Sequence, residues 1–167
     1  MDENMAPRKV FFSYHYERDQ MRAIKVRDLC MTFPGMEVRG FWDMDSWIEA
    51  RDQGKSAINA WIDKELEGTS VTVVLIGFET YDIDYIDHAI IQSCKQGNSF
   101  LGIKIHKLKD LGGSHDLIGK NPLHKYKIGS EEESVLADIF HEYIWHIDDG
   151  EKNLAGWIEE AAGIIEG

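Results

Sequence analysis

Basic residues are scarce in this chain. Its 167 residues hold 18 lysines and arginines against 30 aspartates and glutamates, a formal net charge of −12. That deficit argues against DNA, RNA or an anionic membrane as the principal partner. It does not exclude a phosphorylated ligand, because backbone amides and a few bases can hold one locally. Cysteine is nearly absent too. Cys30 and Cys94 each fall on an apolar helical face and read as two buried free thiols of a reducing cytoplasm. The opening MDENMAPRKV lacks the apolar core of a secretory signal. No apolar run approaches the ~20 residues of a membrane-spanning helix.

Several catalytic signatures are missing as well. No G-x-G-x-x-G follows the first strand, and there is no G-x-S-x-G elbow. GGSHDLIGKN is P-loop-like only in outline, since Asn121 stands where a hydroxyl residue is required. The histidines lack the helical spacing of zinc ligands and no cysteine pair lies near them, so no metal site is expected. His141 and His146 have opposite parity on the expected last strand and would face opposite sides.

What is present alternates. KVFFSY (9–14) reads as a strand, followed by helix signals from about Arg18, with Val26, Leu29, Cys30 and Phe33 on one face. MEVRGFW (36–42) makes a weak second strand. A polar loop runs from Trp42 to Gly54, carrying Trp42 and Trp47 beside Asp43 and Asp45. A helix is expected over Lys55–Glu67, with Ala57, Ile58, Trp61, Ile62 and Leu66 along one face. SVTVVLI (70–76) suits a central parallel strand buried on both faces. Thr80–Gly97 reads as one helix lined by Ile83, Ile86, Ile90 and Cys94. SFLGIKI (99–105) is a fourth strand, and a long loop follows. Ser130 and Glu133 form a capping-box pattern. IFHEYIWHI (139–147) reads as the last strand, and an amphipathic helix from Leu154 to Ile165 closes the chain. Residues 1–8 are expected to be a flexible tail, and 9–167 a single α/β domain. Its fold is flavodoxin-like, with a central parallel sheet of about five strands flanked by helices.

In order, KVFFSYHYERD, KSAINAWI, VTVVLIGFET, IIQSCKQG, FLGIKIH, GKNPL and IDDGEKNLAGWIEEAA make the chain resemble a TIR-type domain. The resemblance is closest to the TIR-like proteins of the Thoeris ThsB family, from prokaryotic anti-phage defence, and runs from Lys9 to Ile165. It implies a cytoplasmic enzyme that takes NAD⁺ as substrate and breaks the bond between nicotinamide and ribose. It implies an ADP-ribose-derived product that reaches a downstream effector by diffusion, self-association of the chain, and neither metal nor additional cofactor.

In that family a glutamate on the helix after the third strand, four residues beyond an aromatic, carries the chemistry. Here the aromatic position is Tyr85, where tryptophan is usual, and the glutamate position is Ala89. Either the glutamate was exchanged for alanine in this chain, or the chain is a naturally degenerate member. Asp84, Asp87 and Glu79 do not take its place on the helix face. The resemblance further implies that Phe12, Ser13, Tyr14 and His15 border the pocket. Trp42 and Asp43 begin a loop that completes it, and Thr80, Ile83, Tyr85 and His88 line it. Relatives often carry a basic residue where Ile83 stands. The rival expectation is a non-enzymatic TIR adaptor that works by protein–protein assembly.

Overall fold

The computed structural model describes residues 7–128 and 134–166. The expected capping box at Ser130 and Glu133, and most of the expected tail, lie outside the described residues.

Five parallel strands form the sheet in the order β2-β1-β3-β4-β5. They are β1 (Arg8–Ser13), β2 (Met36–Arg39), β3 (Val71–Ile76), β4 (Ser99–Lys104) and β5 (Glu142–Ile144). All six residues of β3 are buried, and it pairs with β1 on one edge and β4 on the other. A run with no polar face can exist only where helices cover both sides of a sheet. The winding reverses direction between β1 and β3, which opens a crevice at their carboxyl ends. The doubly wound α/β fold expected from the sequence is the fold observed.

The helices are α1 (Tyr16–Cys30), α2 (Met44–Gln53), α3 (Lys55–Leu66), α4 (Asp84–Gln96), α5 (Leu136–Ile139) and α6 (Gly150–Glu166). Buried side chains form two clusters. The larger gathers Val10, Phe12, Val26, Leu66, Val73, Leu101, Leu154 and Ile158. The smaller holds Val74, Ile76, Ile86, Ile90, Phe100 and Leu123.

Five expectations need correction. The polar loop from Trp42 to Gly54 is mostly the helix α2. Asp43 caps it by accepting from the Ser46 N–H at 2.8 Å, and the chain turns at Gly54, whose φ is 107°. The helix expected from Thr80 is interrupted. Thr80–Asp82 is a 3-10 turn, Ile83 is extended, and α4 starts at Asp84. Thr80 Oγ1 accepts from the Gly77 N–H at 2.8 Å, and this ties the turn to the end of β3. The last strand keeps only three residues. Before it, the helical turn α5 is capped by Asp138 on the Val135 N–H; after it, the Asp148 carboxylate takes the Ile144 N–H at 2.7 Å. His146 therefore lies beyond the strand, and the parity rule does not apply to it. Cys94 is exposed while Cys30 is buried, because Ser93 takes the inward position and bonds Thr72 at 2.7 Å. Ile165 is exposed, so the buried stripe of α6 ends at Ala162.

A buried ion pair locks the carboxyl edge of the sheet. Asp19 Oδ1 accepts from Arg22 Nη1 at 2.9 Å, and both residues are buried. Arg22 also donates to the carbonyls of Leu108 and Ser114, at 2.7 and 3.0 Å, and so holds the long loop after β4. Arg18 grips Asp116 of that loop at 2.6 Å and Glu79 at 2.7 Å. The Asp19 carboxylate lies directly over Gly77, where a Cβ would meet Oδ2 at 1.9 Å.

Two predictions follow from this packing. Gly77→Ala overpacks the Asp19 carboxylate and lowers unfolding stability by about 1–3 kcal/mol, as measured by urea denaturation. The second concerns pH. Burial raises the Asp19 carboxyl from its ordinary 3.8 to about 6, with Arg22 opposing part of the shift. On acidification the native chain binds this proton before the unfolded chain does. Its contribution is therefore present below pH 3.8 and lost as pH rises through about 6. In Asp19→Asn that contribution is gone, so the stability gap to the parent widens as pH falls through this window. A gap that stays constant would assign the group an ordinary titration.

Candidate functional site

The crevice between β1 and β3 is filled by aromatic rings. The sequence FFSYHYERD leaves β1 at Ser13 and enters α1 at Tyr16, so consecutive aromatics sit at the sheet's carboxyl edge. Tyr85, in the first turn of α4, reaches across and accepts a hydrogen bond from the Tyr16 backbone N–H at 2.9 Å. That amide belongs to the first turn of α1 and has no partner within its own helix, so Tyr85 supplies one. Trp47 of α2 stacks on Tyr16 with centroids 4.8 Å apart and meets the edge of Tyr85 at 5.5 Å. Trp42 stacks on Trp61 at 3.5 Å and touches Trp47 at 5.1 Å. Tyr14 accepts from the Trp42 N–H at 3.2 Å and donates to Gln20 at 2.7 Å. Burial pushes the phenols of Tyr14 and Tyr85 well above the usual range, so both stay protonated donors.

Ala89 lies one turn beyond Tyr85 on the same face of α4 and is fully buried within the larger core cluster. The structure thus brings Tyr14, Trp42, Tyr85 and Ala89 into one packed wall. Two further residues belong to this wall, Tyr16 and Trp47. The sequence pattern places Trp47 in a loop, whereas the folded chain carries it on α2. The Asp-x-x-Ser pattern at Asp43 and Ser46 was the available signal for that helix.

Other expected site residues stand apart from the wall. Phe12 is core, its ring 5.4 Å from Phe41. Ser13 and His15 are buried at the end of β1, with His15 Nδ1 4.0 Å from Glu79. Burial lowers the His15 pKa, which favours the neutral ring. Asp43 is exposed and caps α2; its bonds from Ser46 hold its carboxyl below the usual range. Thr80 is buried and bonds the Gly77 amide. Ile83 packs against the smaller core cluster. His88 turns toward α3 and pairs with Asp63 at 2.7 Å.

The acids near Ala89 are committed elsewhere. Asp84 pairs with Lys55 at 3.0 Å and Asp87 with Lys125 at 2.8 Å, while Asp87 also accepts from the Tyr126 hydroxyl. Glu79 holds Arg18. Among the described residues no group of three or more metal-ligating side chains forms, and no helix is long and apolar enough to cross a membrane.

Known proteins agree with this architecture. A protein of Bacillus cereus (strain MSX-D12), named "Putative cyclic ADP-D-ribose synthase ThsB1", is 27% identical over 189 residues, covering 90% of this chain and 98% of that protein. The family model of the TIR-like domain of the Thoeris protein ThsB matches residues 11–110, from within β1 past the end of β4 and across the whole aromatic wall. The chain belongs to the TIR-like domain family of the Thoeris protein ThsB.

Proposed function

We propose that this chain is a TIR-domain enzyme of the NAD⁺-cleaving, ADP-ribosyl-cyclase type, disabled here by Ala89. The observation that carries the reading is the pairing of Tyr85 and Ala89 on one face of α4, at the point where the sheet winding reverses. The relative named as a cyclic ADP-D-ribose synthase supports it.

The chemistry asks little of the protein. The C1′–N bond breaks, its electron pair stays with nicotinamide, and the leaving group departs neutral. Positive charge then develops on the ribose as an oxocarbenium. A carboxylate at position 89 would face that charge from a wall with few competing dipoles, where an electrostatic contact is strongest. Alanine supplies nothing there, and Asp84, Asp87 and Glu79 are all ion-paired elsewhere. The stacked rings suit a planar ligand. Nicotinamide would take the place of Trp47 between Tyr16 and Tyr85, so α2 has to shift for substrate to enter. Self-association is the event that would shift it. The product would be an ADP-ribose-derived nucleotide that reaches its effector by diffusion.

The adaptor reading draws on one observation of its own. Met44 and Ile48 leave apolar surface exposed on α2, as an assembly face would.

The test compares the chain with Ala89→Glu in phage-challenged cells, following NAD⁺ loss and product mass. Ala89→Glu is expected to raise NAD⁺ consumption on the order of 100-fold or more. It is also expected to destabilise the resting fold by about 1–3 kcal/mol, because the new carboxyl enters a fully buried position. No turnover by either protein, with the defence response intact, would favour the adaptor.

A further inference from the structure

A second concave site lies away from the aromatic wall. It is a cleft of about 370 Å³ lined by Tyr81, Lys104, Lys120, Asn121, His124 and Glu142. None of Tyr14, Tyr16, Trp42, Trp47 or Tyr85 borders it. It lies at the carboxyl end of β4, the usual ligand side of an open parallel sheet, and reaches Glu142 at the amino end of β5.

The charge of this cleft runs against the charge of the chain. Lys104 ends β4, and Lys120 arrives from the long loop after it. Their one acidic neighbour in the lining is Glu142, 3.6 Å from the Lys104 ammonium. Behind the lining, Lys125, whose charge is already paired with Asp87 at 2.8 Å, lies 4.3 Å from the centre of the Tyr81 ring and donates to the Tyr81 carbonyl at 2.5 Å. Lys120 lies 5.6 Å from the same ring. A molecule of net charge −12 thus gathers lysines around one aromatic ring.

The backbone holds Lys120 in place. Gly119 presses on the Gly77 carbonyl, where a Cβ would come within 1.8 Å. Asn121 then caps the 3-10 turn Pro122–Lys125, its Oδ1 accepting from the Leu123 N–H at 2.9 Å. Its amide Nδ2 is buried against Gly102 of β4 with no hydrogen-bond partner, a donor left over in a residue of the lining.

We propose that this cleft is a second ligand site, and that it binds a phosphorylated small molecule of sugar-phosphate or nucleotide size. Lys104 and Lys120 would contact the phosphate, and Tyr81 would offer a ring to the organic part. The cleft is larger than inorganic phosphate needs and falls in the range of small-ligand sites, roughly 300–1,000 Å³. Glu142 sets specificity by opposing binding, so the site rejects weakly charged anions. The proposal does not rest on NAD⁺ cleavage.

The test is titration calorimetry of the whole chain with AMP, ribose 5-phosphate, ADP-ribose, inorganic phosphate and adenosine. Phosphate esters are expected to bind and adenosine not to bind, with affinity falling as salt rises. Lys104→Met combined with Lys120→Met is expected to weaken binding tenfold or more, and Lys55→Met, on α3, to leave it unchanged. Glu142→Gln is expected to tighten binding severalfold, a gain that misfolding cannot produce. Binding of ADP-ribose alone ties the cleft to the proposed reaction. Binding of AMP and ribose 5-phosphate as well makes it a site for a separate phosphorylated metabolite. The proposal is overturned if no ester binds, or if binding ignores the lysine and Glu142 variants. ADP-ribose binding that is lost in Tyr85→Ala but kept in the lysine pair belongs to the aromatic wall, and also overturns it.

Discussion

The buried Asp19–Arg22 pair organises the working edge of this molecule. A charge pair taken out of water demands partners for its remaining polar atoms. Arg22 satisfies that demand with the carbonyls of Leu108 and Ser114, so the long loop after β4 is fastened to α1. Asp19 satisfies one oxygen through Arg22 and leaves Oδ2 without a hydrogen-bond partner, packed over Gly77 where any side chain would collide. Gly77 in turn offers its carbonyl face to Gly119. One ion pair therefore fixes the ends of β3 and α1 and the loop that carries Lys120 and Asn121.

On either side of that lock the carboxyl edge holds two different surfaces. Toward β1 and α2 it is aromatic and closed, with Trp47 between Tyr16 and Tyr85 and Ala89 beneath. Toward β5 it is basic and open, with Lys104 and Lys120 around a cleft. The 3-10 turn Thr80–Asp82 separates them. Tyr81 in that turn faces the cleft, and Tyr85 in the helix beyond faces the wall. The extended residue Ile83 between turn and helix redirects the chain, and so one short segment serves both surfaces.

Around Ala89, none of Asp84, Asp87 and Glu79 is an unpaired acid. Each nearby acid already answers a base, through Lys55, Lys125 or Arg18. Freeing any of them would break an ion pair and still leave its carboxylate off the face that Ala89 shares with Tyr85. Among the described residues, none of these three carboxylates beside the wall is left without a base.

Much of this was legible in the sequence because the signals were local. The buried run VTVVLI, the alternation of strands and helices, and the spacing of Ile86 and Ile90 each depend on neighbours in the chain, and together they dictate a doubly wound parallel sheet. The i, i+4 relation of Tyr85 and Ala89 was visible for the same reason. The helix α2 was less visible. It is short, its apolar face is narrow, and what holds it is Trp47 packing on Tyr16 and Tyr85, contacts that only the folded chain supplies. The last strand shrank because Asp148 and Asp138 claimed backbone amides that the β-pattern had assigned to the ladder. The basic cleft could not be read at all. Its residues come from the turn after β3, the end of β4, the loop after it and the start of β5, and no sequence interval links them. Local periodicity determined the elements and their winding. Tertiary packing decided which side chains meet at the edge, because those meetings are set by distances between elements and not by spacing along the chain.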